Sequence, residues 1–278
     1  SRTGRAWAVG IVLAHPRCLP VTAPFFYGDA AELGALTSGD VYVLDGEEGR
    51  HAVTVKRLSV GEHVLIGDGA GAVAAGVVER TVGKAELVVA VQDVVRHSPP
   101  NPVITVVQAL IKGDRMERAI ETMTEAGVDR IVLWQSKRSI VRTDAASAQK
   151  LRAKLATRAQ QAAKQARRAF VPGVTDVVKT ADLAAELGRG LRILVLHEDA
   201  TTSLADALGP VASGEDEGQD IVIVVGPEGG IGAHECALLA EFGGTAVALG
   251  PSVMRASTAG TVALGWVMGA SGRWTVRD

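Results

Sequence analysis

The sequence predicts two domains of different class: a small antiparallel β-barrel, then an α/β domain built on a parallel sheet. Three observations carry this. The chain of 278 residues is longer than one hydrophobic core usually serves. Between residues 24 and 95, valine-rich runs are separated by Asp-Gly and glycine turns at about ten-residue intervals, the spacing of a small all-β unit. After Pro102, apolar strand-like runs alternate with helix-period segments, which implies parallel strands and crossover helices.

The β elements of the first domain, residues 23–95, are VYVLDG (41–46), HVLIGDG (63–69), GAVAAGVVE (71–79) and AELVVAVQDVV (85–95). The stretch HAVTVKRLSVGEHV (51–64) reads as a short helix or turn at their edge, with His51, Lys56 and Arg57 outward. Three prolines within Arg96–Pro102 favour extended backbone and end strand pairing, so 96–102 is the linker. The second domain, 103–278, opens on a buried strand, VITVVQAL (103–110). A helix over Asp114–Gly127 follows, with Met116, Ala119, Ile120 and Met123 on one face, and then the strand DRIVLW (129–134). A long helix spans Ala145–Phe170, its apolar face formed by Leu151, Leu155, Ala159, Ala162, Ala166 and Phe170. Strands LRILVLHED (191–199) and IVIVVG (221–226), a helix over Ala233–Phe242, the strand TAVALG (245–250) and a helix over Ser257–Ser271 complete the chain.

Hydrophobic content of 47% and charged content of 22% are those of an ordinary globular protein. A net charge of −2 excludes a globally basic chain, but charge is unevenly placed. Ten basic residues lie between Lys137 and Arg168 against one acid, Asp144. Lys150, Lys154, Arg158 and Arg168 form a stripe with Gln161 and Gln165, spaced to meet a phosphate backbone, although most such runs are solvated helix faces. Cys18 and Cys236 provide neither a disulfide framework nor metal-ligand spacing, so no metal and a reducing compartment, the cytoplasm, are expected. No apolar run is long enough to span a membrane, and residues 1–22 read as a disordered extension.

Three loops leave the C-terminal ends of predicted parallel strands, the edge where open α/β sheets bind ligands. They are Leu196-His197-Glu198-Asp199, the glycine loop Gly226–Gly232, and LGPSVMRASTAG (249–260). The glycine loop lacks the Lys-Ser/Thr of a phosphate loop, and Glu228 would repel phosphate. That carboxylate fits a cationic or donor-rich ligand, or a loop held by its own backbone N–H groups. Ser257 and Thr258 are candidate caps for the last helix. Arg255, placed before that helix's positive end, faces either an anionic or electron-rich ligand or, as a surface arginine, a nearby acid.

VVGPEGGIG, LGPSVMRASTAG, KQARRAFVP (164–172) and QALIKGDRMERAIETMTEAGV (108–128), in this arrangement, resemble the bacterial 16S rRNA uracil-N3 methyltransferase family of the SPOUT class. The resemblance runs from about residue 24 to the C-terminus. It implies a PUA-like barrel that binds RNA, then an α/β domain with a C-terminal trefoil knot. It also implies a homodimer that methylates N3 of a uridine in the decoding region of 16S rRNA, within the 30S subunit. The cofactor implied is S-adenosyl-L-methionine, held by Leu196, His197, Glu198, Gly226, Pro227, Glu228, Gly229, Gly230, Leu249, Gly250, Pro251, Met254, Arg255, Thr258 and Ala259. Arg255 is the expected catalytic residue, stabilising charge that develops on uracil O2 and O4. The expected RNA contacts are Lys112, Arg115, Lys137, Arg138, Arg142, Lys154, Arg158, Lys164, Arg167 and Arg168. The chain departs from the family's LGPRILRTETA at Ser252, Val253, Met254, Ala256 and Ser257, and carries Ile111 where proline is usual. Two rival readings share parts of this pattern: a ribose 2′-O-methyltransferase, and a non-catalytic RNA-binding assembly factor.

Overall fold

The computed structural model describes residues 23–209 and 219–275, and the extension expected over 1–22 lies outside them. The chain divides into two compact units, with the boundary between Ser98 and Pro99.

The first unit contains β1 (Phe25–Tyr27), α1 (Ala30–Ala35), β2 (Val41–Leu44), α2 (Gly46–Arg50), a π-helical turn (His51–Val55), β3 (His63–Gly67), β4 (Ala72–Val82) and β5 (Glu86–Arg96). The strands form one sheet in the order β1-β3-β4-β5-β2. It is mixed where an antiparallel barrel was expected, because β1 pairs parallel with β3. Parallel neighbours need a long crossover, and here α1, β2, α2 and the π turn supply it. β1 and β2 are the ends of the hydrogen-bonded order among the described residues. Phe26, Tyr42, Leu44, Val64, Ile66, Val78, Leu87 and Val89 form the core. His51 does not point outward as expected, for its ring meets Phe26 edge-on with centroids 5.8 Å apart.

The second unit contains β6 (Ile104–Ala109), α3 (Asp114–Ala126), β7 (Arg130–Gln135), α4 (Ala145–Gln165), β8 (Gly173–Lys179), α5 (Leu183–Leu187), β9 (Arg192–Leu196), α6 (Leu204–Leu208), β10 (Ile221–Val225), α7 (Ala233–Glu241), β11 (Gly244–Val247) and α8 (Ala256–Ala270). All six strands are parallel, in the order β11-β9-β10-β6-β7-β8. Core clusters on both faces of the sheet bury every residue of β10, which explains its uninterrupted run of β-branched residues. Since the strands are parallel, the loops after β9, β10 and β11 leave from one edge.

Three expectations need correction. The strand β8 was not foreseen, because GVTDVVK alternates weakly and lies at the sheet's edge with only Val174 buried. The long helix stops at Gln165, not Phe170. Arg167 turns left-handed with φ +52°, and the Arg168 N–H closes the end on the Ala163 carbonyl at 2.8 Å. The last helix begins at Ala256 with Arg255 as its N-cap residue, so neither Ser257 nor Thr258 caps it.

Candidate active site

The three loops converge on a cleft of about 620 Å³. That volume lies within the range of roughly 300–1,000 Å³ typical of small-molecule sites. Each wall follows from local structure. β10 leads into Gly226, where a Cβ would come within 2.7 Å of the Ile231 side chain, so a larger residue would displace Ile231. The Pro227 carbonyl accepts the Gly230 N–H at 2.9 Å, and Gly230 has φ +72°. After β9, the His197 Nδ1 accepts the Asp199 N–H at 3.2 Å, so this histidine is satisfied locally. After β11, Leu249 to Arg255 run exposed or half-exposed into α8.

Of the residues expected to hold the cofactor, the cleft is lined by Leu196, His197, Glu198, Gly226, Pro227, Glu228, Gly230, Leu249, Gly250, Pro251, Met254, Arg255 and Ala259. Gly229 and Thr258 stand outside the lining. The Gly229 carbonyl accepts from Arg138 Nη1 at 3.1 Å, and Thr258 is exposed on the first turn of α8. Arg115 and Arg138, expected among RNA contacts, line the cleft. Arg115 Nη1 lies 3.8 Å from Glu228 Oε1, so Glu228 faces a guanidinium and not its own loop's N–H groups.

The remaining basic residues do not form one open stripe. Glu117 on α3 accepts from Lys154 Nζ at 2.6 Å and Arg158 Nη2 at 3.2 Å. Arg142 donates to the Ser136 carbonyl at 3.2 Å and to that of Lys137. Lys112 and Lys137 are exposed, while Lys164 and Arg167 are half-buried. Arg168 is a correction: its guanidinium is 13% exposed and caps the end of α3, donating to Thr124 and Val128 at 2.9 and 2.6 Å. Of the tryptophans, Trp134 is fully buried, whereas Trp266 and Trp274 are 43% and 53% exposed.

Sequence reasoning missed Ile231, which fills the hollow beneath Gly226, and Glu235, which is 2% exposed on α7. The helix-start pattern Gly232-x-x-Glu235 was the available signal for the latter. Beside it, burial and then Glu235 push the Cys236 thiol up from its ordinary value, opposed by Arg138.

The model of an RNA methyltransferase domain matches residues 98–268, and that of an RNA methyltransferase PUA domain matches 44–92. The chain belongs to this RNA methyltransferase family. The ribosomal RNA small subunit methyltransferase E of Mycobacterium bovis is 41% identical over 91% of this chain and 94% of its own. The Bacillus subtilis protein of that name is 29% identical over 80% of this chain and 88% of its own. Among solved structures, the Neisseria gonorrhoeae ribosomal RNA small subunit methyltransferase E bound to S-adenosyl methionine matches with TM-score 0.75. It is 25% identical and covers 89% of this chain and 97% of its own. A Legionella pneumophila protein solved with bound SAM also matches with TM-score 0.75, at 26% identity, covering 89% of this chain and 98% of its own. The family foreseen from the loop motifs is therefore the family found, and its methyltransferase domain is the unit that carries the cleft.

Proposed function

We propose that this protein is an S-adenosyl-L-methionine-dependent methyltransferase acting on N3 of a uridine in the decoding region of 16S rRNA, within the 30S subunit. The observation that carries this reading is the convergence of the three strand-end loops on one cleft that also contains Arg255. The residues fit the cofactor. Glycines expose backbone donors and acceptors to an adenosine edge, and Leu196, Leu249 and Ala259 offer apolar contact. Glu198, Asp199 and Glu228 suit a ligand with hydroxyls and a cationic centre better than a phosphate. When bound, the cofactor supplies an electrophilic methyl group on a sulfonium.

The chain's own residues do the rest. Arg255 stabilises the negative charge that uracil O2 and O4 share as the N3 proton passes to solvent water, an effect worth roughly 3–4 kcal/mol in comparable sites. The loop walls hold the base in line, which lowers the entropic barrier. Extracting the base from its stack costs about a few kcal/mol, offset by phosphate contacts from exposed residues such as Lys112 and Lys137.

The reading includes a trefoil knot at the C-terminal end. It is supported by α8, which leaves the edge strand β11 and returns to pack on β10, β6 and α3. It includes a cytoplasmic homodimer, supported by exposed apolar Val253, Val262 and Trp266, the latter two one turn apart on α8. Among the described residues, no helix is long and apolar enough to cross a membrane.

The test is incubation with labelled cofactor and 30S particles from a strain lacking the equivalent activity, followed by nucleoside mass spectrometry. Label in 3-methyluridine is expected. Label in a 2′-O-methyl nucleoside overturns the N3 chemistry, and absence of both label and cofactor binding overturns the enzyme reading.

A further inference from the structure

Glu235 is a buried carboxylate that does not touch the cleft, yet it gathers donors from three separate segments. Its Oε1 accepts the Lys137 N–H at 2.8 Å and the Thr180 hydroxyl at 2.7 Å. Its Oε2 accepts the Gly232 N–H, the last residue of the glycine loop, at 3.3 Å. Thr180 is itself oriented, since its oxygen accepts from Trp134 Nε1 at 3.0 Å and its single proton is left for Glu235. The carboxylate stands on the first turn of α7, beside that helix's unsatisfied backbone N–H groups.

The segment after β7 is braced as one piece. Arg142 returns to hold the carbonyls of Ser136 and Lys137. Gln135 Oε1 accepts from the N–H and hydroxyl of Thr143 at 2.9 and 3.1 Å. The Ser136 and Ser139 hydroxyls meet at 2.9 Å. Arg138 projects from this brace, lines the cleft and donates to the Gly229 carbonyl at 3.1 Å. The glycine loop is therefore held twice from the same segment, by Arg138 at Gly229 and through Glu235 at Gly232.

We propose that Glu235 is a positioning residue that fixes Arg138 against the glycine loop and thereby sets the cofactor's affinity. The inference rests on the methyltransferase reading. A carboxylate that only caps α7 would affect stability and leave ligand binding alone. A carboxylate that acts through Arg138 must lose its effect on binding once Arg138 is gone.

A double-mutant cycle on the full chain separates these. Binding of S-adenosylmethionine and S-adenosylhomocysteine is measured by calorimetry for the wild type, Glu235→Gln, Arg138→Ala and the double variant, with thermal melts in parallel. Glutamine keeps one acceptor oxygen but cannot serve Lys137, Thr180 and Gly232 together. Each single variant is expected to weaken binding about tenfold, and the double variant no more than the weaker single, a coupling of about tenfold. In turnover, KM for the cofactor rises while kcat holds. Multiplicative losses, or a lowered melting temperature with unchanged affinity, overturn the proposal. If Glu235→Gln does not fold, Thr180→Val removes the hydroxyl that orients the carboxylate. It is expected to weaken binding by a smaller factor that disappears in the Arg138→Ala background, and persistence there overturns the proposal. A wild type that binds neither ligand overturns the methyltransferase reading itself, whereas a binding wild type with an additive cycle overturns this inference alone.

Discussion

Arg115 and Glu228 meet at the wall of the cleft, with Nη1 3.8 Å from Oε1, and both are partly exposed. Such a pair contributes little to stability, about 0–1 kcal/mol. Its consequence is the field presented to a ligand, since Arg115 offsets part of the negative charge that Glu228 would offer a sulfonium. Arg115→Ala is therefore expected to raise the preference for S-adenosylmethionine over the uncharged thioether S-adenosylhomocysteine. The size is about two- to fivefold, the scale of one charge at this distance in a wet site. Glu228→Gln is expected to lower the same ratio. Titration calorimetry with both ligands reads it, and a ratio unmoved by either change would mean that Glu228 does not face the sulfur.

Arg255 makes the N-cap of α8 with its backbone, its carbonyl accepting the N–H groups of Thr258 and Ala259 at 2.8 and 2.9 Å. The side chain takes no part in the cap and is exposed at the cleft. Arg255→Ala should leave the fold and melting temperature intact while lowering the methylation rate by about 10²–10³-fold. Lysine should restore only part, because an ammonium cannot serve two carbonyl oxygens as a planar guanidinium does. Single-turnover rates and thermal melts on the same preparations check both halves, and a rate within a few-fold of wild type would remove Arg255 from the chemistry.

Arg168 is built into the fold. Its guanidinium donates to the carbonyls that end α3 and lies 3.6 Å from Asp129. Asp129, itself 7% exposed, also binds Arg273 at 2.7 and 3.0 Å. Removing the guanidinium strands buried carbonyl acceptors, while Asp129 keeps Arg273, so Arg168→Ala is expected to cost about 1–3 kcal/mol in denaturant unfolding. The folded fraction should bind RNA with an unchanged salt dependence. A shallower salt slope at unaltered stability would return Arg168 to the RNA surface.

These cases show why some of the site was legible in the sequence and some was not. Glycine, proline and β-branched runs signal where a strand ends and a loop begins, so the three loops and most residues lining the cleft could be named. Helix periodicity located Met116, Ile120, Leu155 and Ala159 in the core because burial imposes that period. The basic residues could not be sorted, because charge alone does not say which carbonyl or carboxylate lies opposite. Arg168 went inside, Arg138 went to the glycine loop, and Lys154 and Arg158 met Glu117. Glu235 was not singled out because its partners lie some 55 and 98 residues earlier in the chain. The strand β8 escaped notice because an edge strand needs little apolar alternation.

The Glu117 cluster makes the stability of this unit depend on pH in a defined direction. Hydrogen bonds from Lys154, then from Arg158, hold the Glu117 carboxyl below its ordinary range. The unfolded chain therefore binds this proton more readily than the folded one, and stability rises with pH through the intervening window. The contribution is fully present above the ordinary glutamate value of about 4.3 and is lost as pH falls through the depressed folded value. Unfolding of wild type and Glu117→Gln should accordingly differ most near neutrality and converge in acid. The same substitution releases Lys154 and Arg158 toward phosphate, so the salt slope of RNA binding should steepen by about one to two charges. A stability gap that stays constant with pH would remove Glu117 from the titration, and an unchanged salt slope would show that α4 does not face RNA.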